Sequence, residues 1–181
     1  MPEGKSGRKS RTSNGSFHPR DITYHPIGVI RSPFADLRQM PIQPSGEASA
    51  PGSAEVFPQF TEGLNDLAGF SHVILIYHLH GAHKADLTVT PFLGSEPHGI
   101  FATRAPTRPN PIGLSIVRLL KIEGNILHLA NLDILDGTPL LDIKPYVPDF
   151  DAPSEARVGW LERARGRVKS AKSDDRFTPV Q

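Results

Sequence analysis

Gly99-Ile-Phe-Ala-Thr-Arg104-Ala-Pro106-Thr-Arg108-Pro109-Asn110-Pro111-Ile-Gly113 runs straight into Leu114-Ser-Ile-Val-Arg-Leu-Leu-Lys-Ile122. The junction between these two pieces decides the reading of the fold. Proline fixes φ, lacks an N–H and pushes the residue before it toward extended backbone. Ala105, Arg108 and Asn110 each precede a proline. Residues 106–111 are therefore expected to form a stiff loop, neither helix nor central strand. The apolar run behind it reads as a strand. A stiff loop that fixes two guanidiniums and an amide suits carboxylate or phosphate recognition, because each guanidinium is a planar fork of donors. The same loop also reads as a structural turn whose arginines pair with surface acids.

Outward from this junction the chain reads as short strands and turns. Glu123-Gly-Asn125 separates the strand at 114–122 from an apolar run at 126–133, and the three-residue connection suggests a hairpin with a glycine bulge. Asp136-Gly-Thr-Pro139 marks a turn before a last strand at 140–146. The strongest strand is Phe70-Ser-His-Val-Ile-Leu-Ile-Tyr-His-Leu-His80. Alternation puts His72, Ile74, Ile76, His78 and His80 on one face, and Val73, Leu75, Tyr77 and Leu79 on the other. Both faces are largely apolar near the middle, so the strand is expected to be central. Residues 24–31 form a first strand, with Gly28 and Ile30 opposite Ile27, Val29 and Arg31. Residues 54–60 form a short strand that Pro58 restricts to an edge or a bulge, and Thr61 caps a short helix over 61–67. Residues 81–95 form a loop with an extended piece at 87–90. Closely spaced short strands without a β–α alternation make the fold class all-β, a barrel or a sandwich. No Gly-x-Gly-x-x-Gly turn follows a strand, so a Rossmann cofactor site is not indicated.

At 181 residues the chain accommodates one domain and extra tails. The net charge of +1 hides an uneven distribution: residues 1–20 carry five basic residues and one acid, and residues 156–181 carry seven and three. Residues 21–155 carry eight basic residues against fifteen acids. The expected division is a disordered basic tail at 1–20, a barrel domain at 21–155 and a basic C-terminal tail at 156–181, with a basic amphipathic helix at 154–167. Basic ends of this kind can hold a polyanion through its phosphates. The absence of cysteine removes disulfides, thiolate metal sites and thiol nucleophiles. With no secretory signal and no membrane-length apolar run, the expected location is cytoplasmic, with no membrane partner.

Three polar clusters stand in stiff loops or at strand ends: Arg104, Arg108 and Asn110; His78 and His80; and Asp133, Asp136, Thr138, Asp142 and Lys144. Clusters of this kind, far apart in sequence but at strand ends, can converge on one mouth of a barrel. His78 and His80, with His83 or Asp86, could reach one metal ion, but no His-Glu-x-x-His motif supports that, and no metal is expected. A carboxylate pair could also serve general acid/base hydrolysis.

Five motifs occur in order: Pro26-Ile-Gly-Val-Ile-Arg-Ser-Pro33; Leu67-Ala-Gly-Phe-Ser-His-Val73; the opening loop through Gly113; Leu132-Asp-Ile-Leu-Asp-Gly-Thr-Pro139; and Asp142-Ile-Lys-Pro-Tyr146. In this the chain resembles the TsaA-like (TrmO-like) family of S-adenosylmethionine-dependent methyltransferases over roughly residues 24–150. The resemblance implies a single antiparallel β-barrel, and N6-methylation of threonylcarbamoyladenosine beside the anticodon of tRNA. It also implies a homodimer with the S-adenosylmethionine site near the subunit boundary. The implied cofactor residues are Pro41, Ile42 and Gln43 in the loop after the first strand, His80 and Gly81, Arg104, Leu114, and Asp133, Ile134, Leu135 and Asp136. Arg104 would hold the cofactor carboxylate, and Asp133 or Asp136 would balance its cationic end. Asp136 is the first candidate for the catalytic base and His80 the second. Arg108 and Asn110 would contact substrate or brace the loop. Family members with the tRNA activity often carry a further C-terminal domain, and the usual loop has Ser where this chain has Ala105. A barrel that binds S-adenosylmethionine or RNA without catalysis, as a sensor or accessory protein, is the alternative.

Overall fold

In a computed structural model the described residues are 22–36, 50–82, 84–92 and 94–164. Pro41, Ile42, Gln43, His83 and both termini lie outside them. Eight strands occur: β1 Gly28–Arg31, β2 Gly52–Val56, β3 His72–His78, β4 Thr88–Val89, β5 His98–Gly99, β6 Ile112–Glu123, β7 Ile126–Ala130 and β8 Thr138–Pro145. Six of them close into a barrel in the order β1-β2-β7-β6-β3-β8, and β4 and β5 form a separate ribbon. Every neighbouring pair in the barrel is antiparallel. Of the barrel and sandwich that the strand spacing allowed, the chain forms the barrel, which leaves no strand edge unpaired.

The inward face follows the alternation. In β3, Val73, Leu75 and Tyr77 are buried, and β3 pairs on both sides, with β6 and with β8. In β6, Gly113, Ser115, Val117 and Leu119 point inward, while Ile112, Leu114, Ile116 and Arg118 point out. A register shift between Leu119 and Lys121 then ends the strict alternation. Ile30, Leu75, Leu127, Leu129, Leu132, Ile134 and Leu140, each almost fully enclosed, fill the middle.

Some local expectations are corrected. The β6–β7 connection is a two-residue turn, Gly124-Asn125, because Glu123 pairs directly with Ile126; Gly124 has φ +60°, which suits glycine at the first turn position. Asn125 ties the turn to β2 through its side-chain amide, 2.6 Å from the Val56 carbonyl. The segment after β2 is a 3-10 helix over Pro58–Leu64, without a side-chain cap; Pro58 starts this turn and Thr61 lies inside it. The region after β8 holds a short helix α1, Pro148–Asp151, and a 3-10 turn, Gly159–Ala164, in place of one long amphipathic helix. Residues 154–158 are not helical, and Gly159, at φ +58°, breaks the described part of the expected span. Trp160 docks this segment: its Nε1–H donates to the Ala102 carbonyl at 2.8 Å, and its ring stacks on His98 at 4.5 Å. No helix of the described residues is long and apolar enough to cross a membrane.

Candidate functional site at one mouth of the barrel

Strand direction gathers the polar clusters. β3 ends, and β6 and β8 begin, at the same mouth, as the pairs His78↔Ile112 and Tyr77↔Leu140 require. β1 ends there too, opposite Thr138. The ends of β1, β3 and β7 and the starts of β2, β6 and β8 therefore all lie at this mouth. The segments between them carry His80 and Gly81, the Arg104–Asn110 loop and residues 131–137. Asp142 and Lys144 are not part of the group. They lie further along β8 opposite Ile76 and Ile74, in an exposed ion pair of 2.8 Å.

Asp133 is the most constrained acid at the mouth. Its Oδ1 accepts a 2.7 Å hydrogen bond from the Ser115 hydroxyl, which lies 3.0 Å from the Tyr77 hydroxyl. Burial pushes the Asp133 carboxyl above the usual range, against the Ser115 hydrogen bond and the positive charge of Arg104. The same burial, with the Asp133 charge adding, pushes the Tyr77 phenol well above its ordinary value. Arg104 is exposed beside them, with its charge acting on both groups.

His80 is fixed by a second chain of bonds. The Thr138 hydroxyl donates to the Leu135 carbonyl at 2.7 Å, and the same oxygen lies 3.2 Å from His80 Nδ1. A hydroxyl has one proton, and here the carbonyl takes it. His80 Nδ1 is then the donor to Thr138, which assigns the neutral ring the tautomer with an unprotonated Nε2.

Asp136 is engaged differently. Its Oδ1 accepts the Ser32 N–H at 3.0 Å, and its Oδ2 lies 3.9 Å from Arg31 Nη1, both at the surface. With Asp136 N–H donating to the Phe34 carbonyl at 2.8 Å, and Ser32 Oγ donating to the Ile134 carbonyl at 2.6 Å, it clips the 131–137 loop onto the end of β1. Ile134 is sealed in the core, so a ligand at this mouth would meet its backbone; Leu135 is half-buried.

The arginine loop divides its labour. Arg108 Nη1 donates to the carbonyls of Ile100, Thr103 and Ala105 at 3.3, 2.9 and 3.4 Å, and its guanidinium lies 6.0 Å from the Phe101 ring centre. It braces the loop. Asn110 is exposed, and its carbonyl accepts the Ile112 N–H at 2.8 Å. Leu114 points away from the barrel and is 47% exposed. The histidines are dispersed: His72 bonds to Ser71 and contacts Tyr146, and His98 stacks on Trp160. Among the described residues, no three histidine or acidic side chains are grouped as a metal site. Ser115, Tyr77 and Thr138 were not singled out for the site from sequence, apart from the place of Thr138 in its cluster. The legible signal was a serine at an inward position of an otherwise apolar strand.

A closed six-stranded antiparallel barrel with its polar loops gathered at one mouth defines the class of all-β protein. The match is more specific than that. Residues 29–152 match the family model of the tRNA-methyltransferase O N-terminal domain, and the chain belongs to that family. A probable S-adenosyl-L-methionine-binding protein of Pyrococcus abyssi is 55% identical over 159 residues, covering 88% of this chain and 86% of that protein. The tRNA (adenine(37)-N6)-methyltransferase of Escherichia coli is 35% identical over 151 residues, covering 78% of this chain and 64% of that enzyme. A crystal structure of TrmO from Pseudomonas aeruginosa superposes with TM-score 0.66 at 43% identity, covering 77% of this chain and 62% of that one. The chain thus spans less than two thirds of the length of the Escherichia coli enzyme and of that solved structure.

Proposed function

We propose that this protein is an S-adenosylmethionine-dependent methyltransferase acting on N6 of an adenosine in tRNA. The observation that carries the reading is the presence at one mouth of a part-buried carboxylate, Asp133, and the exposed guanidinium of Arg104, whose charge acts on it. S-adenosylmethionine combines a carboxylate, an ammonium and a sulfonium with an adenine, and the residues present fit it. Arg104 meets the carboxylate and Asp133 the cationic end. Leu114 offers exposed apolar surface, and Gly81 and residues 134–135 offer backbone groups. Pro41, Ile42 and Gln43 are assigned here only through the family resemblance.

Bound, the cofactor supplies a methyl group carried on a positively charged sulfur. The protein's own task is alignment and removal of one proton from the attacking nitrogen. His80, whose Nε2 is left free by the Thr138 bond, is the better-placed base. Asp136 already accepts from Ser32 and sits by Arg31, so its stronger role is to hold the 131–137 loop. Arg108 and Asn110 set the path of the loop that presents Arg104. Phe101, 77% exposed, is a flat apolar ring beside the Arg108 guanidinium, a surface suited to an unpaired base.

The proposed substrate, following the family resemblance, is the threonylcarbamoylated adenosine beside the anticodon. The proposed assembly is a homodimer. It is supported by the outward face of β3 and β6, where Ile112, Leu114 and Ile116 are each more than a third exposed and lie opposite His78, Ile76 and Ile74. Leu114 belongs to this face, so a site near the subunit boundary would let it line the cofactor. The test is mass spectrometry of tRNA nucleosides treated with protein and labelled S-adenosylmethionine. Label in an N6-methylated adenosine supports the reading; an unlabelled profile removes it. A second reading, a binding protein without methyl transfer, is favoured by the Pyrococcus abyssi relative, which carries a binding name and nearly the same length. Calorimetric binding of the cofactor with no transfer to any tRNA would select it.

A further inference from the structure

Ser115 occupies an inward position of β6 where its inward neighbours Val117 and Leu119 are apolar, and it is 3% exposed. A hydroxyl there needs partners. It has two, and their order can be deduced. Ser115 donates to Asp133 Oδ1 at 2.7 Å. That uses the only hydroxyl proton, so Tyr77 must donate into Ser115 Oγ at 3.0 Å. Tyr77 stays a donor because burial and the Asp133 charge both oppose its ionisation. The phenol has room because Tyr77 stands opposite Gly113, where a Cβ would overlap the ring.

We propose that Tyr77 and Ser115 are positioning residues that pin Asp133 as an anion in one orientation at the mouth, and so set the protein's affinity for a cationic ligand. The geometry is a one-way relay of two hydroxyls ending on the carboxylate. Charge-assisted bonds of this kind favour the ionised form. The charged and titratable groups acting on Asp133 are Arg104, which favours the anion, and Tyr77, which is neutral. Gly113 serves the same device from the facing strand by admitting the ring. The ligand class rests on the methyltransferase reading above; the relay itself does not.

The test compares the parent protein with Ser115→Ala, Ser115→Thr and Tyr77→Phe. In the unliganded proteins, carbon-detected NMR follows titration of the Asp133 carboxyl. Its midpoint is expected to move upward in S115A, to move less in Y77F, and to return toward the parent in S115T. Calorimetry with S-adenosylmethionine near neutral pH is expected to show about tenfold weaker binding in S115A, recovering as the pH is raised. An unmoved Asp133 midpoint in both S115A and Y77F overturns the proposal, whatever the affinities. If S115A does not fold, Y77F reads the same relay. If the midpoint moves but the parent binds no S-adenosylmethionine, the relay stands and the cofactor reading falls.

Discussion

Asp133 and Glu123 stand at opposite ends of the barrel, and the protein treats their carboxylates in opposite ways. Glu123 closes β6 at the hairpin end, exposed to solvent. Lys121 Nζ is 2.7 Å from one of its oxygens and His128 Nε2 is 2.8 Å from the other. The Lys121 hydrogen bond and charge hold its carboxyl below the usual range. Asp133 lies at the mouth, where burial pushes its carboxyl up. The hairpin end satisfies its charges cheaply in water. The mouth keeps a carboxylate in a part-buried place, which makes Asp133 a candidate for a working group.

The largest expected effect breaks the comparison at the mouth. Asp133→Asn keeps the shape and an acceptor for Ser115 but removes the charge. S-adenosylmethionine affinity is expected to fall on the order of 100-fold by calorimetry. Folding is expected to respond in the opposite sense. The native Asp133 pKa lies above its unfolded value, so the native state holds the proton longer, and stability falls as pH rises through that window. Above that window the asparagine variant should therefore resist urea better than the parent. A variant that is both weaker in binding and less stable would show that Asp133 is structural.

Next in size is Gly113→Ala. Its added Cβ would overlap the Tyr77 ring from the facing strand, and the buried ring has little freedom to move aside. A loss of about 2 kcal/mol in urea unfolding is expected. In Gly113→Ala combined with Tyr77→Ala that overlap is gone, so the two losses should be strongly non-additive. Additive losses would mean that the ring and the glycine do not meet. Smaller again is Arg108→Ala, which removes the donor shared by three loop carbonyls. About 1 kcal/mol is expected in global stability. Amide exchange should rise over residues 99–105 while the barrel strands stay protected. Unchanged exchange there would return Arg108 to the role of a substrate contact.

The difference between the two ends also explains what could be read from sequence. The strands were legible because burial in a barrel imposes period two: Val73, Leu75 and Tyr77 against His72, Ile74 and Ile76 needed no structure. The stiff loop was legible because three prolines leave the backbone little choice. Turn details were less so, since Gly124-Asn125 as a two-residue turn depends on Glu123 facing Ile126, a register that strand composition does not set. Convergence of the mouth was foreseen as a possibility of strand ends, yet the ranking within it was not. Asp136 stands first as a base only through the family resemblance, and the structure engages that carboxylate with Ser32 and Arg31. Ser115, which touches Asp133, hid inside an apolar run. Hydrogen bonds between strands far apart in sequence leave no local pattern, so the Tyr77–Ser115–Asp133 chain becomes visible only when β3, β6 and the 131–137 loop are brought together.

The smallest expected effect is at the other end, and it completes the comparison. Glu123→Gln removes the acid between Lys121 and His128 without disturbing the Gly124-Asn125 turn. Because the native pKa of Glu123 is lowered, its contribution to stability is present above the unfolded value and lost as pH falls through the native one. The group is exposed, so solvent and salt screen most of that contribution. A slight loss of stability is expected at neutral pH and low salt. It should vanish at high salt or when parent and variant are compared at acid pH. Affinity for S-adenosylmethionine should not change, because Glu123 closes β6 at the end opposite the mouth. If Glu123→Gln weakened binding as Asp133→Asn does, the two ends would be coupled through the length of β6 and β7, and burial would no longer explain why one carboxylate matters and the other does not.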